Sequence, residues 1–304
     1  MRRERGVAAI TAVLIVAVAA SAAALMLAQQ SAMLDQTSLV AARAQADNFA
    51  RAGVDWSRGI LLQDMATSGN YDGLDEGWAQ PLAGMPVERA VVSGALTDEQ
   101  GKFNLNNLLN GLQKSDADVQ AFQRLLALLD LPPSLSDAVV DWIDVDSTVT
   151  GNGGAEDPYY LSLSRPYRAA NRLMVQVEEL YRIRGFDAAA VAKLRPYVTA
   201  LPERTAVNVN TASDVVLMAL MPTVPKDKIE SFIASRAAKP FRTAQMITAW
   251  DAHATALVPA SLDVKSAYFS TQVVVAQDDV QLATDALLVR SQGRVNVVWQ
   301  RPRF

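Results

Sequence analysis

Hydrophobic and polar positions divide this chain into three regimes. The first is apolar throughout: no charge occurs from Gly6 to Leu34, and the 22 residues from Val7 to Ala28 include only Thr11 and Ser21 as polar positions. As a helix that run rises about 33 Å, enough to cross a bilayer's hydrocarbon core. The second regime follows without a break. Leu39, Val40, Ala44, Phe49, Val54 and Ile60 recur every four to six residues, no proline intervenes to about residue 65, and glycine occurs only at 53 and 59. One helix that starts in a membrane and runs into a folded head is predicted.

The third regime is the head. "PVERAVVSGALTDEQGKFNLN" (86–106) alternates on either side of "TDEQGK", which predicts a hairpin turning there. "DADVQAFQRLLALLDL" (116–131) reads as an amphipathic helix stopped by Pro132 and Pro133, and "SLSDAVVDWIDV" as a second, capped by Ser134 or Ser136. Short helices follow in "QVEELYRIR" and "DAAAVAKLRPYV", separated by Gly185. "KSAYFSTQVVVAQ", "VQLATDALLVRS" and "RVNVVWQRP" are strand-like. A long helix, strands, a helical block and more strands predict an α+β fold with a helical domain inserted into a sheet.

Composition removes several chemistries. There is no cysteine, and His253 is the single histidine, so disulfides, thiolate chemistry and multi-histidine zinc sites are excluded. His253 in "AWDAHATAL" has no nucleophile motif around it and reads as a partly exposed helical residue. No P-loop or GxGxxG occurs. Of the net charge of −4, Arg2, Arg3, Glu4 and Arg5 contribute +2, which leaves a mildly acidic body of −6 with no general attraction for nucleic acid. The basic residues ahead of the span place the N-terminus in the cytoplasm and the head outside it. "ASAAA" (20–24) could serve an ordinary signal peptidase and release a periplasmic enzyme, but the apolar pattern continues through Leu25, Met26 and Leu27.

"RRERG" followed directly by an apolar helix resembles the prepilin leader of type IV pilins and type II secretion pseudopilins. The resemblance implies cleavage between Gly6 and Val7 by a prepilin peptidase, with Val7 as a methylated N-terminus and the helix retained. Most of that superfamily carries glutamate at the fifth mature position, which is Thr11 here. "ARAGVDWSRGIL" (50–61), "DEQGKFNLNNLL" (98–109), "VVDWIDVDS" (139–147), "GAEDPYYLSL" (154–163), "NRLMVQVEELYRIRGF" (171–186) and "AVNVNTAS" (206–213) are similar, in order, to the K-type minor pseudopilins. Members of that subfamily commonly lack the glutamate too. The resemblance implies a leader (1–6), a transmembrane part of the helix (7–28) and its periplasmic part (29–65). It further implies pilin-like strands (66–106 and 259–304) around an inserted helical domain (107–258). It implies a subunit at the tip of the pseudopilus, anchored in the inner membrane through Val7, Thr11, Leu14, Val18 and Leu25. Its neighbours would be I- and J-type minor pseudopilins, with the H-type beneath.

Two stretches in the head raise ligand questions. Residues 208–247 resemble a helix-hairpin-helix unit of DNA-binding competence proteins, which makes a membrane-tethered DNA receptor the alternative reading. Its hairpin "MPTVPKD", however, has no glycine, and Pro225 lacks the N–H that a phosphate would need. "FNLNNLL" and "VNVNTAS" look like similar strand-to-helix entries, which is compatible with an internal duplication. The acidic stretch "DWIDVDSTVTGNGGAEDPYY" (141–160) sets Asp141 and Asp144 three apart on a helix end and runs into a glycine-rich loop. It is not an EF-hand, because position twelve from Asp144 is Ala155 and position six is not glycine. By composition it fits either a solvated acidic loop or a hard-cation site. The family resemblance implies one or two calcium ions, held by Glu156, Asp157 and Asp146, with Asp144 and Asn171 next. Tyr159, Tyr160 and Tyr167 fit either a glycan surface or the edge of a core.

Overall fold

The computed structural model describes residues 2–67, 69–252, 254, 257 and 260–303, with side chains from residue 10 onward. His253 lies outside the described residues. One helix, α1 (Arg2–Thr67), covers both the apolar run and the amphipathic stretch in 66 residues, about 99 Å of rise. Its face toward the head is Ala46, Ala50, Val54, Ser57, Leu61 and Asp64, spaced by three and four. That face corrects the stripe expected from bulk alone: Leu39 and Val40 are exposed, as is Ala44, and the buried positions are mostly small.

Five antiparallel strands form the sheet in chain order: β1 (Leu82–Val87), β2 (Ala90–Asp98), β3 (Tyr268–Gln277), β4 (Val280–Ser291) and β5 (Arg294–Arg303). Phe269, Thr271, Val273 and Val275 point from β3 toward α1, the period-two pattern of a half-covered sheet. Helix and sheet touch closely. Ser57 Oγ lies 2.8 Å from Thr271 Oγ1, and a Cβ on Gly53 would lie 2.6 Å from Val273 Cγ1. Helix propensity alone makes Gly53→Ala stabilising by about 1 kcal/mol. The stiff valine turns that sign, so the variant is expected to lose about 1–2 kcal/mol in thermal unfolding. Gly59→Ala, with nothing within 4 Å, should gain stability in the same assay.

The hairpin expected around "TDEQGK" turns elsewhere. β1 and β2 turn at Glu88 and Arg89, with Glu88 at φ 52°, and Phe103–Asn104 pairs in parallel with Val198–Thr199 instead of with β2. Long-range demands on the polar side chains explain the difference. Asp98 Oδ2 accepts from Asn208 Nδ2, Thr211 Oγ1 and Ser266 Oγ at 2.9, 2.6 and 2.7 Å. Gln100 Oε1 accepts from the main chain of Ala267 and Tyr268, and its Nε2 donates to Ala206 O. These residues fasten the entry and exit of everything between β2 and β3.

That intervening segment has its own core. Its helices are α2 (Asp116–Leu128), α3 (Leu135–Ile143), α4 (Asp157–Leu161), α5 (Ala188–Leu194), α6 (Asp214–Leu220), α7 (Lys226–Arg236) and α8 (Ala244–Trp250). "QVEELYRIR" forms a 3-10 helix, Val177–Arg182. The two asparagine-rich entries make equivalent contacts. Asn104 Oδ1 accepts from Asn106 N as Asn208 Oδ1 does from Asn210 N. Asn106 clamps Met174 N and O at 2.8 and 2.9 Å, and Asn210 clamps Phe241 N and O at 2.8 Å each. Each entry also forms one parallel pair, 103–104 with 198–199 and 207–208 with 262–263. Two copies of one supersecondary unit account for this geometry.

Candidate functional site

α3 ends at Ile143, and Asp144 adopts extended backbone as its cap. Asp141 and Asp144 therefore do not share a helix face as their spacing suggested. Asp141 instead holds the glycine-rich loop, accepting from Thr150 N at 3.0 Å, and Asp137 accepts from Gly153 N at 3.2 Å. The loop lies so close to α3 that a Cβ on Gly153 would meet Ser134 O at 2.0 Å. The anchoring role of Asp137 and Asp141 was missed in the sequence, although their i,i+4 spacing opposite a glycine-rich loop is a readable signal.

The loop so held brings three carboxylates together. One oxygen of each of Asp144, Asp146 and Glu156 lies within 4.8 Å of the others. Asp144 and Glu156 are buried, and Asp146 is exposed, with its Oδ1 accepting from Thr148 N. Asp144 Oδ1, both oxygens of Glu156 and Asn171 Oδ1 are buried without a hydrogen-bond partner. Asn171 sits at φ 45° beside the end of α3, where its N–H donates to Trp142 O. Burial, reinforced by the charges of Asp146 and Asp141, raises the Asp144 carboxyl to about 6. Burial and the neighbouring carboxylates raise Glu156 to about 7. Four unpartnered oxygens, from two carboxylates and an amide, fit a hard cation that takes roughly six to eight oxygen ligands.

Asp157 stands apart from this group. It opens α4, and its oxygens accept from Ala169 N at 3.0 Å and Arg168 Nη1 at 3.2 Å, so it orders the returning chain. Tyr160 is fully buried, edge-on to Trp142 at 5.3 Å and flanked by Tyr159 and Tyr167, which makes these rings part of the core beside the loop.

The helix-hairpin-helix-like unit directs its cations inward. Arg236 donates to Val209 O and Ala212 O, Lys228 pairs with Asp251 at 2.8 Å, and Lys226 lies 3.4 Å from Glu230. Arg242 stacks over Tyr71, and Lys239 is exposed.

The other candidate surface is α1 itself. Among the described residues it is the one helix long and apolar enough to cross a membrane, a property compatible with a single-pass anchor. Leu14, Val18 and Leu25 are 62–64% exposed, Thr11 is exposed with them, and Gly6 and Val7 lie within the helix. Small residues recur here too, which suits close helix packing.

Comparison with known proteins accounts for both features. Family models described as "Type II secretion system (T2SS), protein K" match residues 101–203 and 207–275, the two similar units of the insertion. Type II secretion system protein K of Aeromonas hydrophila is 32% identical, covering 99% of this chain and 97% of its own. The protein of that name in Pseudomonas aeruginosa is 35% identical over 80% of this chain and 76% of its own. A chain of the crystal structure of the GspK-GspI-GspJ complex of enterotoxigenic Escherichia coli superposes with a TM-score of 0.77 and 25% identity. That likeness covers 86% of this chain and 97% of the other. With its pilin-like helix and sheet and its inserted helical units, this chain belongs to the type II secretion system protein K family and is a minor pseudopilin of that system.

Proposed function

We propose that the protein sits at the tip of the secretion pseudopilus, where it initiates or caps the fibre during export of folded proteins across the outer membrane. It works by assembly and not by catalysis. The observation that carries this reading is the likeness to nearly a whole chain of the GspK-GspI-GspJ complex, which makes I- and J-type minor pseudopilins its direct neighbours and an H-type subunit the one beneath. Thr11 supports the tip position: a fifth-position carboxylate in apolar surroundings needs the terminal amine of a subunit stacked above it. The segment between β2 and β3 makes the head bulky, as befits a cap. The full chain, co-produced in membranes with the I- and J-type subunits of its own system, is expected to co-purify with both in detergent. Absence of a complex overturns the tip reading.

The precursor spans the inner membrane once, with Arg2, Arg3 and Arg5 cytoplasmic and the head periplasmic. Prepilin peptidase cuts between Gly6 and Val7. N-terminal sequencing of the mature protein is expected to begin at Val7, whereas a start beyond residue 20 requires ordinary signal peptidase. Asp144, Asp146, Glu156 and Asn171 hold calcium, which supplies the positive charge that their buried oxygens lack. Asp157 braces the chain behind them. The helix-hairpin-helix-like unit acts as scaffold, its cations already engaged with protein, and takes no nucleic acid.

A further inference from the structure

A second set of carboxylates lies where the long helix meets the head. Asp64 is on the last turns of α1, and Asp72 and Glu76 are on the loop that leads to β1. They are 7%, 2% and 7% exposed, and one oxygen of each lies within 4.8 Å of the other two. The guanidinium of Arg290 serves two of them: Nη1 donates to Asp64 Oδ2 at 2.7 Å, and Nη2 donates to Asp72 Oδ1 and to Ser266 O. Glu76 Oε2 accepts from Gly73 N at 2.9 Å and from Trp78 Nε1 at 3.0 Å. Its other oxygen, Oε1, is buried with no hydrogen-bond partner.

An exposed acidic cluster needs no explanation, but this one is out of water. Three carboxylates against one guanidinium leave two negative charges uncompensated, and buried charge is tolerated only when paired or metal-bound. A dication brings the sum to zero, and an all-oxygen donor set selects a hard one. We infer that Asp64, Asp72 and Glu76 form a second divalent-cation site, of the calcium class, with Glu76 Oε1 as the oxygen open to the ion. It shares no residue with the acidic loop. An ion there ties the end of α1 to the loop entering β1 and stiffens the neck between membrane helix and head.

The test uses the full chain in detergent, stripped with chelator, and carries Glu156→Gln to disable the loop site. This parent is expected to bind one equivalent of Ca²⁺. With Tb³⁺ it should show emission excited through indole, because Trp78 donates to the same carboxylate. Adding Glu76→Gln should abolish both the equivalent and the emission, while Trp78→Phe should remove the emission and keep the equivalent. A parent that binds no Ca²⁺, or binding and emission unchanged by Glu76→Gln, overturns the inference. Folding is controlled in chelator, where Glu76→Gln is expected to melt at or above its parent because it removes an uncompensated carboxylate. A lower melting temperature there makes Glu76 a structural group and also overturns the inference. If the chain without Glu156→Gln binds the same single equivalent, the loop site fails and this one stands.

Discussion

In the presence of chelator, the melting temperature of the protein is expected to fall as pH rises from about 4.5 to about 7.5, and Ca²⁺ should reverse that fall. The sign follows from Asp144 and Glu156. Their carboxyls rest at about 6 and about 7 in the fold, above ordinary values of 3.8 and 4.5. Below pH 4 both states hold these protons, and the groups contribute nothing. Between about 4 and 7 the fold keeps protons that the unfolded chain has released, so stability is lost as pH rises and the full penalty is present above 7. Two coupled shifts of this size correspond to a few kcal/mol, on the order of 10 °C in Tm for a head of this length. Calcium takes the place of the protons, and at about a hundred times its Kd it adds about 2.7 kcal/mol at neutral pH. Glu156→Gln should flatten the pH profile in chelator and remove the loop's share of the calcium response. A wild-type profile that is flat in chelator and indifferent to Ca²⁺ removes the loop from consideration as a metal site.

The loop was legible because density of charge is a local property. Asp144, Asp146 and Glu156 fall within thirteen residues, and the glycines that let the chain fold back lie among them. Which carboxylate faces the centre was not legible, since that depends on groups outside the stretch. Asp157 is taken by Ala169 and Arg168, while Asn171 is brought in by a bond to Trp142. The same division runs through the fold. β3, β4 and β5 follow from alternation, and α1 from its lack of breakers. The face of α1 against the sheet does not follow from bulk, because close approach selects Ala46, Ala50, Gly53 and Ser57 over leucine and valine. "TDEQG" carries turn residues, yet Asp98 and Gln100 are committed to Asn208, Ser266 and Ala267, more than a hundred residues away. Local pattern cannot register such a demand.

Arg290→Met is expected to lower stability by about 3–5 kcal/mol, the usual result of removing one partner from a buried ion pair. Three segments meet at this side chain, which is 8% exposed: the end of α1 through Asp64, the following loop through Asp72, and the exit of the insertion through Ser266 O. The guanidinium also lies 4.5 Å over the ring of Phe269, so methionine replaces the packing but none of the charge. In thermal unfolding the loss corresponds to about 10–15 °C. Arg290→Lys should recover only part of it, because one ammonium cannot reproduce the fork that reaches both carboxylates. Adding Asp72→Asn to Arg290→Met should recover stability by removing one of the anions left unpaired, and the double-mutant cycle then reports the coupling directly. A loss under 1 kcal/mol would make the network a bystander to packing. Calcium separates the two contributions further. Without the guanidinium the cluster is more negative by one charge, so the rise in Tm on adding Ca²⁺ should be larger in Arg290→Met than in wild type.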